Sequence, residues 1–161
     1  MQAFTQNNER SARTESAASV AQAHRVLVID DSKTMQDAAR AYLQAAGFEV
    51  VCCDGGYEAL AAAADFVPDV VFVDIVMDRL DGYETVALFR INPEFARIPF
   101  VMMSAKSGLF DIARGRLIGC EDYIVKPLVQ ASFVACAQRA VRRGAHTDHE
   151  SQASLEAIHA S

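Results

Sequence analysis

Several ways of building or stapling a protein are missing from this chain. Its four cysteines, Cys52, Cys53, Cys120 and Cys136, make no CxxC pair and are too sparse for a disulfide framework. Buried, reduced thiols in a cytoplasmic protein are the expectation. No apolar run approaches the roughly 18–20 residues of a membrane span. The first ten residues, Met1 to Arg10, lack the apolar core of a secretory signal. Basic residues are in deficit, with Lys+Arg 15 against Asp+Glu 21 and a net charge of -6. An acidic chain without a basic stripe is a poor nucleic-acid binder.

What is present is apolar and regularly spaced. With 161 residues, 52% hydrophobic and 22% charged, the chain suits one domain with its own core. Residues 1–24, rich in Ser, Ala, Gln, Asn and Thr, carry no sustained apolar period and read as an arm ahead of it. Val26-Leu27-Val28-Ile29 then runs unbroken into Asp30-Asp31, and Val70-Val71-Phe72-Val73 runs unbroken into Asp74. Valine-rich runs of this kind fit strands covered on both faces. Phe48 to Cys53, Phe100 to Met103 and Tyr123 to Val125 are three more.

Helical spacing fills the intervals. Met35, Ala38, Ala39, Tyr42, Leu43 and Ala46 predict one stripe, capped ahead by Ser32 or Asp31 and ended by Gly47. Further helices are predicted over Tyr57 to Ala64, Tyr83 to Ile91 and Gly108 to Ile118. Arg90 is expected to extend its head to water. The last helix, Val129 to Arg143, has Phe133, Cys136, Ala137, Ala140 and Val141 on one face, with Arg139, Arg142 and Arg143 as a solvated end. Residues 144–161 read as a polar tail, part disordered or a short helix. His146 and His149 lack a third ligand, so no metal site is read there.

Strand and helix thus alternate five times, the pattern of an α/β parallel sheet covered on both faces. In such sheets the strands' C-terminal edge is where ligands bind. Asp30, Asp31, Asp74, Ser104 and Lys126 all fall at strand C-terminal ends. Three clustered carboxylates do not all stay ionised cheaply without a cation. Oxygen-only ligands suit Mg²⁺ or Mn²⁺ rather than zinc. A lysine and a serine hydroxyl suit an incoming phosphoryl group. One carboxylate is then left to act as a nucleophile toward phosphorus, giving an acyl phosphate.

Four motifs in order carry a resemblance: Val28-Ile29-Asp30-Asp31-Ser32; Val73-Asp74 with Met77 and Asp81-Gly82; Ser104-Ala105; and Tyr123-Ile124-Val125-Lys126-Pro127. Over residues 25–143 the chain resembles the CheY-like receiver domains of response regulators. Gly108 to Arg116 further resembles the PilG-like, stand-alone regulators of type IV pilus, twitching-motility systems. The resemblance implies a five-stranded sheet of order 2-1-3-4-5, an order taken over from the known flavodoxin and chemotaxis-regulator sheets. It implies that Asp74 accepts a phosphoryl group from a histidine kinase. Asp31 would bind magnesium directly, Asp30 through water, and the Val76 backbone carbonyl would complete the protein's share. Ser104 and Lys126 would hold the phosphoryl group and Tyr123 would be the aromatic switch. The Lys126–Pro127 bond would be cis. Output would pass by protein contact through the face of the fourth helix, fifth strand and fifth helix, with Arg114 and Arg116 contributing.

The departures from the family pattern are specific. Asp78 stands where Pro is frequent, Cys120 where Ala is usual, and Ser104 where Thr is commoner. Val76 has no polar group with which to orient an attacking water, so slow self-hydrolysis is expected. Three rivals remain. An aspartyl-phosphate phosphatase would need DxD at the nucleophile, and Val76 occupies the second position. A flavin carrier would need a phosphate-cradling loop where Asp30-Asp31 stand. A constitutive binding module would need no phosphoacceptor set, and a phosphate sink or relay intermediate would use the same one.

Overall fold

The computed structural model describes residues 22–106 and 108–159, with side chains as far as 145. Ten elements alternate without exception: β1 (Arg25–Ile29), α1 (Lys33–Ala45), β2 (Glu49–Cys53), α2 (Gly56–Phe66), β3 (Val70–Asp74), α3 (Gly82–Ile91), β4 (Phe100–Ser104), α4 (Leu109–Leu117), β5 (Asp122–Val125) and α5 (Gln130–His159). The five strands form one sheet in the order β2-β1-β3-β4-β5, every pair parallel.

Period-two alternation divides the sheet's side chains between two cores. Val26, Val28, Val70, Phe72, Val101 and Met103 meet Ala39 and Leu43 of α1 and Phe133, Cys136, Ala137 and Ala140 of α5. Phe72 and Phe133 pack with ring centroids 4.7 Å apart. On the other face Leu27, Ile29, Val71, Val73, Phe100 and Met102 meet Ala59 and Ala63 of α2 and Val86 and Phe89 of α3. β3 and β4 are buried at all ten of their positions, which is why their sequences run apolar without alternation.

Several local expectations are corrected. The predicted stripe of α1 holds at Ala39 and Leu43, which are buried, and at Met35 and Tyr42, which pack against the same core, but Gln36 joins them and Ala46 is exposed. Ser32 occupies the N-cap position of α1, but its side chain makes no capping bond; its N–H instead donates to Asp30 Oδ1 at 2.9 Å. Arg90 does not reach into water. Its guanidinium donates to the carbonyls of Ala96, Ile98 and Gly119 at 2.7, 2.8 and 3.1 Å and lies 5.0 Å from the Phe100 ring centroid. Those loop carbonyls have no sheet or helix partner, and a charged fork satisfies three at once. Only Cys136 of the four free thiols is buried; the others are part-buried.

α5 does not end at Arg143 either. It continues through Gly144 to His159, since no proline or left-handed cap follows. Arg139 pairs with Asp122 at 3.0 Å and Arg143 with Glu121 at 3.3 Å, so both reach back to the start of β5. The arm before Gln22 and the side chains of His146 and His149 lie outside the described residues. Gly47 has φ +87, as its helix-ending role requires.

Candidate phosphoryl-transfer site

β1 and β3 are neighbours, so the two acidic strand ends meet at one sheet edge. Oxygens of Asp30, Asp31 and Asp74 lie within 4.8 Å of one another. Asp30 is 0% exposed and Asp74 6%, whereas Asp31 is open to solvent at the rim. From two strands away on the other side, β5 delivers Lys126, the residue that follows its last position. Its Nζ lies 2.6 Å from Asp30 Oδ2 and 3.1 Å from Asp74 Oδ1. The Lys126–Pro127 peptide is cis.

Burial raises the Asp74 carboxyl above its ordinary value. The Lys126 ammonium pulls it down without cancelling the rise, and the charges of Asp30 and Asp31 add to it. For Lys126, burial works against the charge. Its hydrogen bonds and attraction to Asp30, then to Asp74, outweigh that and hold the ammonium on. Three carboxylates thus share a single ammonium within the cluster, which leaves an excess of negative charge. The donor set is all oxygen, Asp31 keeps one side open to solvent, and ionised Asp74 is held at a disadvantage. A hard, oxygen-seeking cation fits all three observations.

Asp30 is fixed on every side. Its N–H donates to the Cys53 carbonyl at 3.1 Å, its Oδ1 accepts from Ser32 N–H, and its Oδ2 accepts from Lys126. Its carbonyl accepts from Gln36 Nε2 at 2.7 Å. The Asp78 N–H donates to Asp31 Oδ2 at 3.3 Å, a bond that a proline at position 78 would lack. Ser104 ends β4, 3% exposed, and its Oγ accepts from Lys106 N–H at 3.0 Å. The half-buried Tyr123 donates its hydroxyl to the Lys106 carbonyl at 2.6 Å, so Ser104 and Tyr123 hold the same β4–α4 loop. Val76 lies two residues past Asp74 with its side chain 74% exposed.

α3 begins directly against the site. Asp81 caps it in a full capping box with Glu84, and the Gly82 N–H donates to the Ile75 carbonyl at 2.9 Å. Tyr83 next to it reaches α4, where its hydroxyl donates to the Asp111 carbonyl at 3.1 Å. Arg114 stacks 4.0 Å over the Tyr83 ring, and burial with the Asp111 charge pushes the phenol up to about 12. Arg114 is therefore engaged within the fold, while Arg116 lines a groove between α4 and β5.

The structure thus brings together Asp30, Asp31, Asp74 and Lys126, and ties Ser104 of β4 and Tyr123 of β5 to the adjoining β4–α4 loop. The sequence reading missed Gln36 and Tyr83. Gln36 had a legible signal, since 36, 39 and 43 share a helical face, but its polarity argued against burial. Tyr83 gave none, because its partner belongs to another helix.

Residues 26–138 match the response regulator receiver domain. Protein PilG of Pseudomonas aeruginosa is 48% identical over 103 residues, covering 64% of this chain and 76% of PilG. The transcriptional regulatory protein PrrA of Mycobacterium tuberculosis is 35% identical over 131 residues, covering 81% of this chain. The chain spans about half the length of PrrA. Among solved structures, the chemotaxis protein CheY4 of Vibrio cholerae superposes with a TM-score of 0.70 at 29% identity, covering 73% of this chain and 98% of CheY4. NtrX of Brucella abortus, in complex with ATP, gives 0.75 at 27% identity, over 80% of this chain and 29% of NtrX. Sequence, sheet order and the clustered acidic edge agree: the chain belongs to the response regulator receiver domain family, the phosphoacceptor modules of two-component signalling.

Proposed function

We propose that Asp74 accepts a phosphoryl group from the phosphohistidine of a histidine kinase. A carboxylate oxygen of Asp74 bonds to phosphorus, the P–N bond breaks, and its electron pair returns to the imidazole nitrogen. The observation that carries this reading is the position of Lys126, 2.6 Å from Asp30 and 3.1 Å from Asp74. An ammonium already beside the nucleophile meets the phosphoryl oxygens without reorganising. Ser104 adds a hydroxyl from β4.

Asp31 directly, Asp30 through a water, Asp74 and the Val76 backbone carbonyl would hold Mg²⁺, or Mn²⁺ in its place. When bound, the ion supplies positive charge that offsets the carboxylates and the phosphoryl oxygens. The chain catalyses only its own phosphorylation and dephosphorylation. The apolar Val76 orients no water, so self-hydrolysis is slow.

Phosphorylation becomes a signal through the β4–α4 loop. A phosphoryl group on Asp74 draws the Ser104 hydroxyl, which donates its O–H to it, and the Lys106 N–H bonded to the same oxygen follows that movement. Tyr123 hangs on the same Lys106 backbone, so its position shifts in population with the loop. Moving from mostly inactive to mostly active takes roughly 3–5 kcal/mol of differential stabilisation, within reach of a few charge-assisted bonds. The face of α4, β5 and α5 exposes Leu109, Phe110, Leu117, Val125 and Val129, an apolar surface for a downstream protein. The likenesses to PilG and CheY4 favour type IV pilus or chemotaxis-like control in the cytoplasm, with neither nucleic acid nor membrane insertion as output. No helix among the described residues is long and apolar enough to cross a membrane.

Incubation with Mg²⁺ and acetyl phosphate tests the chemistry. Intact mass should rise by one phosphoryl group, and the gain should vanish in Asp74→Ala. Retention of the modification in that variant refutes the assignment. A pull-down with and without beryllofluoride then identifies the downstream protein.

A further inference from the structure

We propose that Gln36 is a positioning residue of this site, which sets the Asp30-Asp31 loop for the divalent ion; the proposal rests on the receiver reading above. Gln36 is 1% exposed, on the first turns of α1. Its Nε2 donates to the Asp30 carbonyl at 2.7 Å and to Asp54 Oδ1 at 2.6 Å. Both partners are pure acceptors, so the amide has one permitted orientation, NH₂ toward the site and Oε1 away. Oε1 faces the Lys33 ammonium at 3.3 Å, which reinforces that orientation from the other end.

This single amide ties three segments. Asp30 lies at the end of β1, Asp54 in the turn between β2 and α2, and Gln36 on α1. Two effects follow. The Asp30 backbone is anchored on both sides, by Cys53 through its N–H and by Gln36 through its carbonyl, which aims the buried carboxylate at Lys126. The Asp54 carboxylate is held by the same amide that holds the Asp30 carbonyl, so the β2–α2 turn and the end of β1 are fixed together. Gln36 supplies the side-chain donor to the Asp30 carbonyl, so removing the amide strips that carbonyl of this bond. Partners of ligand residues of this kind set metal affinity, and losing one costs roughly 10-fold to 100-fold.

Mg²⁺ titration by calorimetry of the folded chain, without any phosphodonor, is the decisive measurement. Gln36→Leu fills the same space, leaves the net charge unchanged and should weaken the Mg²⁺ Kd at least ~10-fold. Asp54→Ala and Asp54→Asn remove the same charge, but only Asn keeps an acceptor for the amide. Ala should bind Mg²⁺ more weakly than Asn by about two- to ten-fold. Gln36→Glu turns a carboxylate onto two acceptors, yet adds a charge that would favour a cation. A weaker Kd in that variant therefore supports positioning over simple electrostatics. Wild-type Mg²⁺ affinity in folded Gln36→Leu overturns the proposal. Should Gln36→Leu fail to fold, equal affinities of the two Asp54 variants overturn it. Failure of the wild type to take a phosphoryl group on Asp74 would instead sink the receiver reading, whatever the Gln36 titrations show.

Discussion

Replacing Gly82 by alanine puts a methyl carbon 2.5 Å from the Asp74 carbonyl oxygen, 2.9 Å from Ile75 Cα and 3.1 Å from the Asp74 carbonyl carbon. All three neighbours are backbone, and ordinary contact begins near 3.4 Å, so one chain segment must retreat by about 0.9 Å. No rotamer relieves this. α3 is pinned from its other side by the Tyr83 bond to α4 and by Val86 and Phe89 in the core, so the strain falls on the Asp74 peptide. Overpacking costs about 1–3 kcal/mol, and the upper end applies when only backbone can move. A displacement approaching 1 Å at a reacting group costs up to ~100-fold in rate. Gly82→Ala should therefore lose about 3 kcal/mol in urea unfolding followed by circular dichroism. It should also take up phosphoryl from acetyl phosphate at least ten times more slowly, as read by intact mass. Gly115→Ala is the matched control. Its methyl would lie 3.6 Å from Met102 Cγ, an ordinary contact, and a helical glycine replaced by alanine gains up to ~1 kcal/mol. A Gly82→Ala protein with wild-type stability and rate would refute the close-approach argument.

Three further perturbations have definite directions. Val67, a β-branched residue at φ 50 and 58% exposed, ends α2 in a left-handed conformation, so Val67→Gly should raise stability by about 1 kcal/mol in the same urea assay. Arg90→Met strips charged donors from three carbonyls and should cost about 2–4 kcal/mol; a loss below 0.5 kcal/mol would show that water replaces the guanidinium (both figures from typical hydrogen-bond costs). For Asp74 the folded carboxyl titrates above its ordinary value of 3.8, chiefly through burial. Between those two values the native state keeps a proton that the unfolded chain has released, so stability falls as pH rises through the window. Asp74→Asn should thus gain in Tm over wild type as pH climbs from 4 toward neutrality. Mg²⁺ should close that gap, and a gap independent of pH would contradict the burial argument.

The parts of the molecule that sequence conveyed well are those governed by local period. Unbroken valine-rich runs gave the buried strands, and the carboxylates after β1 and at the end of β3 do meet at one edge. What it conveyed poorly depends on partners far along the chain. Arg90 looks like any amphipathic helix arginine until the loops at 96–98 and 119 come to rest beside it. A buried glutamine is uncommon, so only the spacing of Gln36 from Ala39 and Leu43 marks it as an inner-face residue of α1. Arg139, Arg142 and Arg143 followed by Gly144 resemble a helix terminus, whereas two of the arginines bind acids at β5 and Gly144 does not take the left-handed conformation that would end the helix.

The opposite rim of the sheet has a practical bearing. His24, Asp69 and Pro99 there line one cleft with Val141 and Gly144 of α5, so the start of β1 and this part of α5 lie at the same end. A five-residue strand spans about 17 Å, which separates that end from the acidic edge. Fluorophores, affinity handles or surface tethers attached at residues 22–24 or at 144–145 would therefore sit at the rim away from Asp74.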